Sequence, residues 1–170
     1  MNELDHVWSQ MLENAAEKAG ADGRRDVVDY LRLRATNDAI RRAGVDWLFG
    51  TMIEIAGRAV RDFAAITMER EEPHSFARGA SNMVGSLLEI RQGVRCITLE
   101  AGWTRTPSDG IMQKGALAFA RVNHFGMPKL GVEIKLVHSE SLPNWLDEEE
   151  KAFDSGELRR HFDLFLGREF

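Results

Sequence analysis

The chain has 170 residues, of which 44% are apolar and 29% charged, and a formal net charge of −5. This is an ordinary globular composition, long enough for one domain to bury about 70% of its unfolded surface without cross-links. A single cysteine excludes an intramolecular disulfide and a cysteine-rich zinc site, and every apolar run is far shorter than the roughly 20 residues of a membrane-spanning helix.

The first residues, Met1-Asn2-Glu3-Leu4-Asp5, are acidic and lack the basic-then-apolar layout of a signal peptide, so a cytoplasmic location is expected. Leu4, Val7, Trp8, Met11, Leu12, Ala15 and Ala16 then recur at helical spacing, predicting an amphipathic helix that stops near Gly20. Asp22 or Gly23 opens a second helix with Val27, Leu31 and Ala35 inward. Thr36 and Asn37 mark a break or cap, and Gly44 reads as the residue after a helix C-terminus. A third helix runs from Asp46 to at least Val60, with Trp47, Leu48, Met52, Ile55 and Ala56 on its apolar face. Trp8 and Trp47 sit on these stripes and read as core.

Phe63 to Arg70 fits helix or strand, and Glu71-Glu72-Pro73-His74 is expected to end it, since proline cannot donate to a ladder. Beyond Pro73 the pattern changes from helical spacing to alternation. Arg78 to Asn82 reads as a loop. Val84, Leu88 and Ile90 share one parity, Gln92-Gly93 turns the chain, and Arg95 to Trp103 returns with Ile97, Leu99, Ala101 and Trp103 on one face. Cys96, Thr98 and Glu100 take the other face, where a mid-strand cysteine reads as inert filler. Thr104 to Gly115 is a polar connection whose Pro107-Ser108-Asp109-Gly110 is a turn signal. Ala116 to His124 is apolar on both parities and suits a central strand. Gly126-Met127-Pro128 turns the chain into a half-exposed strand at Val132 to Val137.

Leu146 to Phe153 reads as a short acidic helix. Asp154 and Glu157 have capping-box spacing before Leu158, His161, Phe162, Phe165 and Leu166, and Gly167 is a fitting stop. The fold expected is α+β: an N-terminal helical layer on a four- to five-stranded, mostly antiparallel sheet, closed by a C-terminal amphipathic helix. A single domain over residues 1–170 is the economical organisation, with helices over 1–62, sheet over 64–138 and C-terminal helices over 142–167.

Charge divides by region. Residues 1–72 carry 10 basic and 14 acidic side chains, residues 73–140 carry 8 and 5, and the last 30 carry 4 and 8. A mildly positive sheet between acidic helices suits a small anion and makes duplex nucleic acid an improbable partner. Two ends of the sheet hold candidates. At one, Arg105 and Lys114 can clamp a carboxylate or phosphate beside Glu100, Trp103 and Asp109; equally, turn chemistry alone explains Asp109. At the other, His124 lies near Arg91 and Arg95, where it can bind an anion, act as an acid or simply bond a carbonyl. No HExxH, GxSxG, GxGxxG or Walker sequence occurs, and the scattered histidines give no metal spacing, so no metal or cofactor is assigned. The reading is a small-ligand (anion) binding or regulatory module. The alternatives are an enzyme with a polar site at one end of the sheet and a protein-interaction subunit without a small-molecule site. A homodimer, formed through the last helix, is a further expectation.

Overall fold

A computed structural model describes residues 3–61, 65–138 and 144–168, with side chains from His6 onward. The chain is α+β, with two N-terminal helices, a six-stranded antiparallel sheet and a C-terminal helix. Helix α1 spans Glu3–Ala21 and α2 spans Arg25–Val60. Strands follow in order: β1 (Ile66–Arg78), β2 (Ser81–Gln92), β3 (Arg95–Trp103), β4 (Ala118–His124), β5 (Val132–Val137) and β6 (Asn144–Leu146). Helix α3 is Ser155–Leu166. Each strand pairs with its sequence neighbours, giving the order β1-β2-β3-β4-β5-β6. Contacts divide the chain into two compact units, Met1–Arg42 and Ala43–Phe170.

The first unit is a helical hairpin built by α1 and residues 25–42 of α2. Leu12 and Ala19 are buried within it, together with Asp38, which accepts hydrogen bonds from Trp8 Nε1 (3.2 Å) and Arg41 Nη1 (2.8 Å). No break occurs at Thr36, because its hydroxyl donates back to the Arg32 carbonyl at 3.0 Å; a threonine that bonds one turn back tolerates a helix interior.

In the second unit, residues 43–60 of α2 bury Val45, Leu48, Phe49, Met52, Ile55 and Ala56. Full burial of such side chains contributes roughly 1.5–3 kcal/mol each. The expected stop at Gly44 is corrected: this glycine lies inside α2 and serves packing. A β-carbon there would sit 2.6 Å from Leu136 Cδ2, and its carbonyl accepts from Trp145 Nε1 at 3.0 Å. Trp145 thus pins β6 to the helix. Trp8 and Trp47, expected in the core, are instead partly exposed.

The expected β2–β3 hairpin forms, with Gln92 opposite Arg95, Ile90 opposite Ile97 and Leu88 opposite Leu99. Ile97, Leu99, Ala101 and Trp103 are all buried, as are Ala120 and Val122 of the central strand β4. Pro73 does not end the preceding strand. β1 runs through it, with the pairing shifted between Glu71 and His74. As an edge strand, β1 tolerates a residue without an N–H at such an irregularity. The Arg78–Asn82 loop contracts to a two-residue turn, Gly79-Ala80, between Arg78 and Ser81, with Gly79 at φ 58°.

The acidic segment at Leu146 is also corrected. It is not helix: Leu146 ends β6, and the chain doubles back so that Ala152 bridges Leu146 and the Phe153 N–H donates to the Trp145 carbonyl. Asp147 explains the turn, since its Oδ1 accepts from the N–H groups of Glu149 and Lys151, both at 2.9 Å. Helix α3 forms as expected. Asp154 Oδ1 caps it by accepting from Gly156 N (2.8 Å) and Glu157 N (3.1 Å), and Gly167 ends it at φ 73°.

Candidate functional site

The sheet has two chemically distinct faces. Ile90, Leu99, Val122 and Ile134 make an apolar face with the helical residues, whereas alternate positions on β1 and β3–β5 carry charge. The β1–β2 hairpin bends across that charged face. Gly85 and Gly102 stand opposite each other at the bend, and a β-carbon on Gly85 would lie 1.9 Å from the Ala101 carbonyl oxygen. Beyond the bend, Phe76 and Met83 from the hairpin pack with Ala116 and Phe119, joined by the partly buried Met112. In a flat sheet β1 and β5 would be about 19 Å apart, yet Arg78 Nε reaches Glu133 Oε1 at 2.7 Å.

The fold-over assembles a chain of polar contacts from five residues on four strands. His74 Nε2 faces Glu100 Oε2 at 3.0 Å, Arg121 Nη1 donates to Glu100 Oε1 at 3.0 Å, and Arg121 Nη2 donates to Glu133 Oε2 at 3.3 Å. Arg78 closes the chain through Glu133. Aromatic rings support it: the Arg78 guanidinium lies 3.6 Å from the Phe119 centroid, and His74 stacks on Phe76. Glu100, with 12% of its side chain exposed, has a partner on each oxygen, the Arg121 guanidinium on Oε1 and the His74 ring on Oε2.

Beside this chain lies a cleft of about 300 Å³, lined by Arg78, Lys114, Phe119, Glu133, Lys135 and the 146–150 turn. Four carboxylates line it as well. Glu133 holds Arg78 and Arg121, Asp147 caps its own turn, Glu150 pairs with Lys135, and Glu148 is exposed to water. Lys114 is exposed and held at φ 57° by the turn into Gly115; among the described residues it has no ion pair. Three cations and four carboxylates therefore line one cleft, and Lys114 is the cation without an acidic partner among the described residues.

The sequence candidates are distributed differently from expectation. Glu100 is on the charged sheet face, away from the turn that holds Asp109. Asp109 Oδ2 accepts from Thr106 N (2.8 Å), Thr106 Oγ1 (3.0 Å) and Arg105 N (3.1 Å), and these bonds, led by the Thr106 N–H, hold its carboxyl below the usual range. Arg105 lies over buried Trp103, 3.8 Å from the ring centroid, and donates to the Val84 carbonyl. Lys114 alone of this group lines the cleft.

The opposite end does not converge. Arg91 makes a paired contact with Glu89 on the charged face, depressing that carboxyl through the hydrogen bond. The Arg95 guanidinium packs on Gly167, where a β-carbon would meet it at 2.3 Å, and so places a cation at the C-terminus of α3. His124 is on the apolar face, 4% exposed, with Nε2 3.0 Å from Nδ1 of His161, itself 2% exposed. Burial, with a contribution from Arg160, pushes His124 down and His161 down to about 4. Cys96 is buried and its thiol is pushed up by desolvation, the inert state expected of it.

Sequence reasoning missed His74, Arg78, Arg121, Glu133 and Lys135. The available signal was the same-parity charge on successive strands, which marks one face but not the bend that covers it. Among the described residues no group of three or more His, Cys, Asp or Glu side chains could hold a metal ion, and no helix is long and apolar enough to cross a membrane. No protein-family model matches the chain, nor does any curated protein or solved structure.

Proposed function

We propose that this chain is a binding module for a small anion, a phosphate ester or dicarboxylate, held in the cleft between Arg78, Lys114 and Lys135. The observation that carries this reading is the convergence of those three cations on one cleft of about 300 Å³, the lower end of ordinary ligand-pocket size. An incoming anion meets Lys114 first and takes Lys135 from the exposed Glu150. The Glu150 side chain is 61% exposed, so water takes up its charge when Lys135 turns to the anion. Arg78, stacked on Phe119 and oriented by Glu133, supplies a planar donor of fixed direction.

Binding is favoured over catalysis by the condition of His74. Its Nε2 faces Glu100 and its Nδ1 lies 3.5 Å from Glu71 Oε1, so both ring nitrogens are directed at carboxylates and neither at the cleft. A buried, single cysteine suits the reducing cytoplasm, where we place the protein.

Titration calorimetry with inorganic phosphate, succinate and a sugar phosphate tests the reading. Saturable binding weakened at least tenfold by Lys114→Ala, and unchanged by Arg105→Ala, supports it. Binding lost in Arg105→Ala but kept in Lys114→Ala moves the site to the Trp103 turn. A flat response to all three ligands favours a protein-interaction role.

A further inference from the structure

Among the described residues two non-glycine positions take left-handed backbone, Lys114 at φ 57° and Glu150 at φ 63°. A side chain raises the energy of that conformation, so it persists only where the surrounding structure imposes it, and such positions gather at ligand sites. These two, one cation and one carboxylate, line the same cleft. Asp147 holds the turn that carries Glu150. Its carbonyl accepts from Glu150 N at 3.1 Å, while its Oδ1 takes the N–H groups of Glu149 and Lys151. The turn thereby places Glu148 and Glu150 together on the cleft.

Pairing across the cleft is incomplete for both signs of charge. Arg78 and Glu133 hold each other, and Lys135 holds Glu150. Lys114 and Glu148 are left over: both are exposed, and among the described residues neither has an ion pair. An anion that draws Lys135 away then leaves two carboxylates, Glu148 and Glu150, without a cation from the protein. Resting on the reading of this cleft as an anion site, we propose that its ligand also bears a primary ammonium group, as in an amino dicarboxylate or an amine-bearing phosphate ester. The acidic group lies against Lys114, Arg78 and Lys135, and the ammonium lies against Glu148 and Glu150. An ammonium has three donors and no acceptor, enough to serve both carboxylates with charge-assisted bonds. A plain anion of the same shape leaves those carboxylates to water and is repelled by them.

Calorimetry at pH 7 with two matched pairs is the test: succinate against aspartate, and ethyl phosphate against 2-aminoethyl phosphate. Aspartate carries less net negative charge than succinate, so a site that reads anionic charge alone binds succinate more tightly. In whichever pair binds, the amine-bearing member is expected to bind about tenfold tighter. Glu148→Gln/Glu150→Gln should erase that preference by weakening the amine-bearing ligand, with the plain anion bound as well as before or better. Both side chains are exposed, so the thermal melt should be retained. A plain anion that binds wild type as tightly as its amine-bearing partner overturns this inference and leaves the anion site standing. A preference that survives in the double variant overturns the assignment to Glu148 and Glu150. No binding of any of the four overturns the anion site as well.

Discussion

His161 shows how one buried side chain couples the fold to pH. Its imidazole is neutral in the folded chain because burial and Arg160 hold its pKa near 4, against 6.5 when exposed. Below pH 6.5 the unfolded chain therefore binds a proton that the folded chain refuses. Stability is fully present above that pH and is lost as pH falls toward about 4. The shift corresponds to about 3 kcal/mol from this residue, with His124, also pushed down by burial, adding in the same direction. Urea midpoints measured from pH 7.5 to 4 should fall steeply for wild type and less so for His124→Leu/His161→Leu. A flat wild-type profile would sink the assignment. At Glu133 the logic is pairing: among the described residues it is the carboxylate paired with Arg78, and it takes one of the two ion pairs of Arg121. Glu133→Ala should cost roughly 1–3 kcal/mol by leaving partly buried donors unsatisfied, more than any single exposed pair such as Glu149–Lys151.

At the scale of elements, glycines separate positions chosen for packing from those that are merely allowed. Gly85→Ala pushes a β-carbon into the Ala101 backbone, where nothing flexible can yield. A loss of about 3 kcal/mol or more is expected in chemical denaturation. Gly57, inside α2 with nothing within 4 Å of its added β-carbon, should behave oppositely, Gly57→Ala stabilising by about 0.5–1 kcal/mol. If both variants behaved alike, the bend at Gly85 would not depend on close strand approach. These glycines also show why part of the fold was hidden in the sequence. The β2–β3 hairpin was legible because alternation reports a half-buried strand directly, and α3 because its cap and stop are local. Gly44 looked like a helix end because its reason, Leu136, is 92 positions away. Leu146 to Phe153 looked helical because acidic runs suit helices, whereas Asp147 spends its carboxylate on a turn. The site was half legible: Lys114 of the cleft and Glu100 of the neighbouring ion-pair chain stand out locally, but Arg78 and His74 reach them only through the bend of β1–β2.

For the whole molecule, the distribution of buried apolar side chains predicts uneven stability. Residues 43–60 of α2 bury six apolar side chains, three of them, Leu48, Phe49 and Ala56, with no exposed surface, whereas among the described side chains of residues 6–42 the buried apolar ones are Leu12 and Ala19. A pair of helices with so small a core cannot offset the ordering entropy of about 1–2 kcal/mol per residue by itself. Amide exchange should therefore differ along one helix. Amides of residues 45–58 should exchange only through near-global opening, and those of 28–40 through a lower-energy local opening. Uniform protection along α2 would show residues 28–40 and 45–58 opening together and would overturn this division.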